Sequence, residues 1–223
     1  MQTTLISITK PVIDACKTAE ELVAYCARVS NPANQGNHST AGKLLKYLIK
    51  NKHLSPLEMV DLTIEVITTR DIARQMLRHR SFVFQEFSQR YAEANEFVQP
   101  REARLQDTKN RQNSIKTDDE KLQSTFSVLQ ELATLAAKDA YDWAITNGIA
   151  KEQARAVLPE GLTVSRLYMK GNLRSWIHYC QLRMDPATQL EHREVAGACW
   201  DIVCDQFPSV KELLRGDITE AAA

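Results

Sequence analysis

The segment from residue 60 to residue 66 places the strongest constraint on how this chain folds. Its even-numbered positions are apolar and its odd-numbered positions are polar, in the order Val60-Asp61-Leu62-Thr63-Ile64-Glu65-Val66. Successive side chains of a β-strand point to opposite faces, so this alternation predicts a strand that buries one face only. The chain is therefore expected to build a sheet that is covered on one side.

The other periodic segments predict more helix than strand. Short strands are expected at residues 4–9 and 163–169, and an extended segment is expected at residues 81–87. Apolar residues at helical spacing predict helices over residues 13–29, 44–49, 122–143, 151–158, 173–182 and 187–207, and a short helix capped by Thr69 or Asp71 with Ile72, Ala73, Met76 and Leu77 facing the core. We expect one helix-rich α+β domain over residues 1–223, with a mixed or antiparallel sheet flanked by long helices.

Charge and hydropathy exclude several classes of protein. The 223-residue chain carries 28 basic and 28 acidic residues, so its formal net charge is zero. A neutral chain does not attract nucleic acid or an anionic membrane as a whole, and any anion site must be local. The sequence contains neither an apolar run of about 18 residues nor a secretory leader pattern, so a cytoplasmic protein is expected.

The cysteines restrict the chemistry further. They form an odd set without a Cys-x-x-Cys pair: Cys16, Cys26, Cys180, Cys199 and Cys204. Such a set suits a reducing compartment and fits neither a disulfide framework nor a zinc site, and we expect no bound metal. Because the chain has no cysteine between Cys26 and Cys180, chemistry in its middle cannot use a thiolate nucleophile.

Two neighbouring segments differ sharply in composition. Residues 102–121 are almost purely polar and predict a mobile surface excursion. The long helix that follows carries a continuous apolar stripe, which is interpreted as core in the absence of other information: Leu122, Phe126, Leu129, Ala133, Ala136, Ala140 and Trp143.

The densest cluster of functional residues lies between residues 78 and 91. It contains Arg78, His79 and Arg80, and after an apolar run it continues to Arg90. An arginine fork matches phosphate oxygens in a bidentate way, so the cluster indicates a phosphorylated ligand. A solvated basic edge is the alternative. Glu86, Ser88 and Arg90 favour a ligand, because in an extended segment they line one face.

At these residues the sequence resembles the flavin-dependent thymidylate synthases. The signature of that family is Arg-His-Arg, seven residues and Ser, which corresponds to residues 78–88 here. Further blocks of the family occur in the same order between residues 42 and 199: His53-Leu54-Ser55-Pro56-Leu57-Glu58, Gln153-Ala154-Arg155-Ala156-Val157-Leu158-Pro159, Asn172-Leu173-Arg174-Ser175, Leu182-Arg183-Met184-Asp185 and Gln189-Leu190-Glu191. The order of the blocks makes the resemblance more specific than any one of them.

The resemblance implies the reductive methylation of dUMP to dTMP. The carbon donor would be 5,10-methylenetetrahydrofolate, and FAD reduced by NADPH would carry the hydride. It also implies a homotetramer in which several chains build each active site, so that part of the apolar stripe of residues 122–143, or of the last helix, would be interface. The stripe of that last helix consists of Val195, Cys199, Ile202, Val203 and Phe207.

The resemblance also implies roles for individual residues. Arg183 matches the position that contacts the pyrimidine and promotes its ionisation. The positions that match dUMP contacts are Gln75, Arg78, Glu86, Phe87, Ser88, Gln89, Arg90, Arg155 and Arg183. Those that match FAD contacts are Ser55, Arg78, His79, Arg80, Ser81, Glu86, Asn172, Arg174 and His178.

Simpler interpretations of some residues remain open at this stage. Arg183 is also placed to form an ion pair with Asp185 or Glu191, and His53 either stacks near the flavin or caps a turn. Ser88 has no adjacent base and is interpreted as a positioning hydroxyl rather than a nucleophile. For the whole chain, the competing hypothesis is a module that binds single-stranded nucleic acid or a nucleotide without turnover.

Overall fold

The computed structural model describes residues 1–94 and 96–211. Its strands, numbered in chain order, are β1 (Gln2–Ile8), β2 (Asp61–Thr69), β3 (Val83–Glu86), β4 (Arg104–Gln106), β5 (Ser114–Lys116) and β6 (Val164–Asn172). Four of them form an antiparallel sheet in the order β1-β2-β6-β3, and β4 pairs with β5 in a separate hairpin. The α+β class and the antiparallel sheet are confirmed.

The central strand β2 carries the alternation found in the sequence. Leu62, Ile64 and Val66 are fully buried, whereas the residues between them are only partly covered. In the register with β6, Ile64 lies opposite Met169 and Val66 lies opposite Leu167, both of which are also buried. The buried face of the sheet is therefore continuous across its two central strands.

Seven α-helices accompany the sheet in the described residues: α1 (Ala19–Ala27), α2 (Ala41–Lys50), α3 (Arg70–Met76), α4 (Glu120–Thr146), α5 (Lys151–Ala154), α6 (Leu173–Arg183) and α7 (Leu190–Gln206). Helices α6 and α7 pack against each other, and α7 also contacts β1 and β2. Trp176 and Tyr179 of α6 are fully buried in this core. Within this part of the chain, no helix has both the length and the apolar composition to cross a bilayer.

The first helix begins later than the predicted residue 13. Helix α1 begins at Ala19 because Thr18 caps it. The hydroxyl of Thr18 accepts a hydrogen bond from the Glu21 amide at 3.1 Å, and the Glu21 carboxylate accepts one from the Thr18 amide at 3.2 Å. This reciprocal capping box defines the N-terminus of a helix, so Glu20 and Glu21 lie in its first turn rather than in its middle.

Other predicted boundaries also shift. The last helix begins at Leu190 instead of residue 187, and the helix predicted over residues 151–158 changes to a 3-10 helix at Arg155–Val157. The extended segment of residues 81–87 is a strand only at Val83–Glu86, so Ser88 and Arg90 lie beyond it rather than on one strand face. Ile72, Ala73 and Met76 are buried as predicted, but Leu77 is 38% exposed.

The polar segment of residues 102–121 has more structure than predicted. It contains the β4–β5 hairpin, and the Arg104 guanidinium forms an ion pair with Glu191 of α7 at 2.5 Å. The Ala103 amide donates to Gln123 of α4 at 2.8 Å. The segment is therefore fastened to two helices, and its mobility stays a prediction.

Helix α4 turns its apolar stripe away from the rest of the chain. Leu129 and Trp143 of this stripe are more than half exposed, and Leu122 and Phe126 are also exposed. The adjacent Leu132 and Leu135 are exposed as well. The inner face is polar around Gln130, whose amide both accepts from the Arg101 amide and donates to the Arg101 carbonyl, each at 2.9 Å. Near the end of the helix this face is apolar, where Tyr141 and Ala144 are buried against Ala154. The interpretation of the stripe as core is wrong.

The opposite holds for α7. Val195, Cys199, Val203 and Phe207 are buried in the main core, and Ile202 packs against it. Of the two apolar stripes considered as interfaces from the sequence, only the one on α4 remains accessible in the chain.

Gly171 of β6 provides a test of this packing. A Cβ at this position would lie 2.5 Å from the ring of Phe82, which packs edge-on against Trp176 with ring centroids 4.8 Å apart. We expect Gly171→Ala to lower the free energy of unfolding by about 1–3 kcal/mol through overpacking. Chemical denaturation measures this change.

The matched control is Gly197→Ala in α7, where an added Cβ meets nothing within 4 Å. That variant is expected to gain about 0.5–1 kcal/mol, because alanine loses less backbone entropy than glycine in a helix. Equal free energies of unfolding for Gly171→Ala and the parent protein would show that the Phe82 ring does not limit the space at Gly171.

Candidate active site

A cavity of about 1080 Å³ gathers four of the nine residues predicted to bind flavin, whereas Arg78, His79, Arg80 and Glu86 do not line it. Ser81, Asn172, Arg174 and His178 line it, and Ser55 begins the 3-10 helix (Ser55–Met59) that forms another part of its wall. Four predicted residues thus meet in one place, although they come from different parts of the chain.

The junction of β6 and α6 positions this group. The Asn172 side chain caps α6 by accepting a hydrogen bond from the Ser175 amide at 2.9 Å. Arg174 and His178 then follow one turn apart on the same helix face, as their spacing predicted. The Arg174 guanidinium forms a short ion pair with Glu58, which also lines the cavity.

The cavity combines positive charge with apolar surface. Lys46 and Lys50 of α2 lie one turn apart on its wall, and Lys52 follows them. Apolar wall is supplied by Ile49, Leu54, Leu57 and Ile177. The lysines were not predicted as site residues. Their four-residue spacing on one face of a short helix was the available signal, but it is also common in solvated helices.

A second cavity, of about 570 Å³, contains Arg183 and Gln75. Arg183 is the last residue of α6, and Gln75 lies near the end of α3. Gln181, Asp185, Thr188 and Gln189 complete most of the wall, and Gln112 reaches it from the β4–β5 hairpin. No local pattern predicts a residue of the polar segment beside Arg183.

A hydrogen bond between Arg183 and His79 fixes the guanidinium. Arg183 Nε donates to His79 Nε2 at 2.9 Å. Burial, followed by the charges of Arg183 and His178, lowers the pKa of His79 to about 4. The imidazole is therefore neutral at pH 7, and because its Nε2 is an acceptor, its proton lies on Nδ1.

The ion pairs considered for Arg183 from the sequence do not form in the described part of the chain. Glu191 pairs with Arg104 instead, and Asp185 accepts a hydrogen bond from the Ala187 amide at 2.8 Å. The positive charge of Arg183 remains available to the cavity, since its nearest partner is the neutral imidazole of His79.

The last residue of β3, Glu86, and the residues that follow it form a separate group. Glu86 accepts a hydrogen bond from the Ser165 hydroxyl at 2.7 Å and lies 3.6 Å from Arg70. Phe87 lines a third cavity, of about 240 Å³. Gln89 is buried, and among the described residues nothing pairs with its Nε2. A buried donor of this kind indicates an acceptor supplied from outside the chain.

The remaining arginines of the motif point outward. Arg78 and Arg80 are exposed. Arg90 lies 3.6 Å from Glu152, and Arg155 Nε donates to the Glu152 carbonyl at 3.3 Å. One chain thus divides the predicted dUMP contacts among the Arg183 cavity, the segment after β3 and this exposed basic group.

The cysteines near the site are poorly suited to act as nucleophiles. Cys180 lies on α6 and is fully buried, which raises the pKa of its thiol well above the ordinary value. Burial raises the pKa of Cys199 to about 12. Since the thiolate is the reactive form, neither residue offers a sulfur nucleophile at neutral pH.

With this geometry described, sequence comparison defines the class of protein. A family model described as "Thymidylate synthase complementing protein" matches residues 11–209. The match includes both of the larger cavities and the arginine motif.

Individual relatives cover nearly the whole chain. A probable flavin-dependent thymidylate synthase of Paramecium bursaria Chlorella virus 1 is 50% identical over 214 residues, which is 96% of this chain and 99% of the relative. The flavin-dependent thymidylate synthase of Synechocystis is 50% identical over 218 residues, covering 96% of this chain and all of the relative. The chain belongs to the family of flavin-dependent thymidylate synthases.

A solved structure shows the same fold. The UMP/dUMP methylase PolB from Streptomyces cacaoi, bound to 5-Br UMP, superimposes with a TM-score of 0.81 at 25% identity. The alignment covers 96% of this chain and 93% of that protein.

The neutral state of His79 generates a prediction about acid stability. The unfolded chain takes up a proton near pH 6.5, whereas the folded chain resists it until about pH 4. Folding stability is therefore lost as the pH falls through this window, with a contribution of at most about 1.4 kcal/mol per pH unit. Replacing His79 by Gln, which does not titrate, is expected to reduce the slope of unfolding free energy against pH between 6.5 and 4.

The control is His53→Gln, which removes an exposed imidazole that is not among the groups lowering the pKa of His79. Denaturant titrations at several pH values give the slopes. An unchanged slope in His79→Gln would contradict the assignment of a neutral, half-buried imidazole.

Proposed function

We propose that this chain catalyses the reductive methylation of dUMP to dTMP. The carbon donor is 5,10-methylenetetrahydrofolate, and the hydride comes from FAD that NADPH has reduced. The observation that carries this proposal is the 50% identity to flavin-dependent thymidylate synthases over almost the entire chain. The fold shared with a UMP/dUMP methylase supports a uridine nucleotide as substrate.

The larger cavity fits FAD. A dinucleotide requires a long pocket with cations for its pyrophosphate and apolar wall for its ring system, and the Lys46, Lys50 and Arg174 cavity supplies both. Bound FAD supplies the hydride that completes the new methyl group. In this assignment Ser55, Ser81, Asn172, Arg174 and His178 hold the flavin. The remaining assigned flavin contacts, Arg78, His79, Arg80 and Glu86, lie outside the wall of this cavity.

Arg183 is the residue we assign to activation of the pyrimidine. Methylation requires C5 of the uracil ring to act as a nucleophile. A guanidinium at the ring edge favours the N3 anion, because its permanent positive charge stabilises a deprotonated neighbour. His79 keeps the Arg183 guanidinium in place without neutralising it. This route needs no cysteine, in agreement with the burial of Cys180 and Cys199.

The other dUMP contacts are assigned to Gln75, Arg78, Glu86, Phe87, Ser88, Gln89, Arg90 and Arg155. Since these residues do not share one cavity within a chain, we infer that a second chain completes the site. The exposed Arg78 and Arg90 and the half-buried Arg155 are then available to a nucleotide held by a neighbouring subunit.

A homotetramer formed through helix α4 is the assembly that we propose. The exposed surface of α4 carries seven large apolar side chains: Leu122, Phe126, Val128, Leu129, Leu132, Leu135 and Trp143. Large exposed apolar patches mark interaction surfaces, and closed symmetric assembly is the usual outcome for identical chains.

We assign the protein to the cytoplasm on the basis of its cysteines. An odd set of cysteines without a paired motif suits the reducing cytoplasm.

We assign residues 1–223 to one catalytic domain, since one main hydrophobic core joins α1, β2, α6 and α7. The alternative of a nucleic-acid or nucleotide binder without turnover is not favoured, because the matched relatives are named as synthases.

Replacement of Arg183 tests the mechanism. We expect Arg183→Ala to reduce tritium release from 5-tritiated dUMP by at least about a hundredfold, the scale of losing one electrostatic stabiliser, while the purified protein keeps its yellow flavin. The assay contains FAD, NADPH and methylenetetrahydrofolate. Turnover retained in this variant would remove Arg183 from the mechanism.

Arg174→Ala is the matched control, since it removes a guanidinium from the same helix but from the other cavity. It is expected to weaken flavin retention, which absorbance of the dialysed protein measures. Flavin loss in both variants would indicate a general defect of α6 rather than two separate roles.

Charge introduced on α4 tests the assembly. The double variant Leu132→Glu and Leu135→Glu is expected to dissociate the tetramer and to lower activity with it, because buried, unpaired carboxylates oppose association. Sedimentation measures the mass. Lys121→Glu, at an exposed position of the same helix, is the control. A double variant that stays tetrameric would place the interface elsewhere.

A further inference from the structure

His192 joins three helices at one buried point. It lies in the first turn of α7 and is fully buried. Its Nε2 is 3.1 Å from the hydroxyl of Tyr179 on α6, and its Nδ1 is 3.2 Å from Oε1 of Gln75 on α3. Both ring nitrogens are therefore used inside the protein, and the imidazole has no contact with solvent.

The position of the proton on His192 follows from its neighbours. Gln75 Nε2 donates to Gln189 Oε1 at 2.8 Å, so the Gln75 oxygen faces His192 and requires a donor there. The proton of the imidazole is thus on Nδ1, and Nε2 accepts from the Tyr179 hydroxyl. Burial, together with the charges of Arg183 and His79, lowers the pKa of His192 to about 3, which keeps the ring neutral with a single proton.

The hydrogen bonds continue beyond Gln75 in the same direction. Gln189 Nε2 donates to Glu191 Oε2 at 2.9 Å, and Arg104 of the β4–β5 hairpin donates to Glu191 Oε1 at 2.5 Å. The series of hydrogen bonds therefore runs from the Tyr179 hydroxyl to the Glu191 carboxylate. That carboxylate also accepts the hydrogen bond from Arg104. Rotation of the Gln75 amide by 180° would break its bonds to both His192 and Gln189.

The fixed amide determines what Gln75 offers to the Arg183 cavity. Its oxygen faces His192, and one of its two amide hydrogens is used by Gln189. The second amide hydrogen remains, so the side chain presents a donor to the cavity. A donor at this position pairs with an acceptor oxygen of a substrate, such as a carbonyl or a phosphate oxygen.

We propose that His192 is a positioning residue for nucleotide binding, which acts by holding the Gln75 amide with its free N–H toward the Arg183 cavity. This inference rests on the proposed function, because it takes Gln75 as a dUMP contact. His192 itself does not touch the nucleotide, and its effect passes through Gln75.

Two amide replacements of His192 separate its two hydrogen bonds. The amide nitrogen of Asn takes the place of Nδ1, so His192→Asn keeps a donor for Gln75 and loses the contact with Tyr179. The longer Gln reaches the place of Nε2, so His192→Gln keeps the contact with Tyr179 and loses the donor for Gln75. Both variants fill the site with a neutral amide and remove the imidazole.

The measurement is the dissociation constant of dUMP for the flavin-containing protein, by calorimetry. We expect His192→Gln to weaken dUMP binding about tenfold, equivalent to about 1.4 kcal/mol, and His192→Asn to stay within about threefold of the parent protein. Flavin content is expected to be unchanged in both. Val195→Ala, a buried change on the same helix, is the control for general destabilisation and is expected to leave dUMP affinity unchanged.

A double variant tests whether His192 acts through Gln75. Gln75→Met removes the amide at similar volume and is expected to weaken dUMP binding. His192→Gln added to Gln75→Met is then expected to cause no further loss, because the group it positions is already absent. Additive losses, or equal affinities of His192→Gln and His192→Asn, would overturn the inference.

Failure of the proposed function is measured separately. If the unmodified protein releases no tritium from 5-tritiated dUMP, the proposed reaction is wrong. If it does and Gln75→Met binds dUMP normally, the reaction stands, and the positioning role of His192 is wrong.

Discussion

The hydrogen bond between Arg183 and His79 is the contact on which the candidate site depends. It joins the end of α6 to the arginine motif, which is 104 positions earlier in the sequence. A carboxylate in place of the imidazole would have held Arg183 equally well but would have cancelled its charge. The neutral ring supports the guanidinium and leaves its charge to act on a ligand. The pKa of the same imidazole is lowered by the charges of Arg183, which lines one of the larger cavities, and of His178, which lines the other.

Helix α4 shows how a chain keeps an apolar surface accessible without losing its own stability. Its inner face is anchored by glutamines, which satisfy backbone amides and carbonyls of the segment around Arg101 and Ala103. These hydrogen bonds fix the helix without using its leucines. The leucines then remain available for association, and the exposed arginines around Arg90 and Arg155 lie outside the cavities of their own chain.

Periodicity predicted the elements well and their orientation less well. The alternation around Ile64 was sufficient to identify β2, because no other element produces an alternation of apolar and polar residues over a similar length. The stripe on α4 was equally clear, but a helical stripe shows only which residues share a face and not what covers that face. The predicted start of α1 at residue 13 is wrong because the capping box of Thr18 and Glu21 makes Ala19 the first residue of the helix, and both residues of this box are present in the sequence.

The site was predictable where local spacing determines geometry. Arg174 and His178 share a cavity because they are one turn apart on a helix that Asn172 caps. The partners of Arg183 and Gln75 could not be predicted in this way. The bond between His192 and Gln75 joins residues 117 positions apart, and it exists only because α3, α6 and α7 meet. Such contacts are a property of the packed fold and not of any segment.

The β4–β5 hairpin has a place in this arrangement that its composition conceals. It borders the Arg183 cavity through Gln112, yet only a few anchors such as Arg104 and Ala103 tie it to the body of the protein. Insertions or exchanges at its tip would leave the sheet and the flavin cavity untouched. In the proposed assignment, the segment beside the nucleotide can therefore vary in sequence without altering the cavity assigned to the flavin.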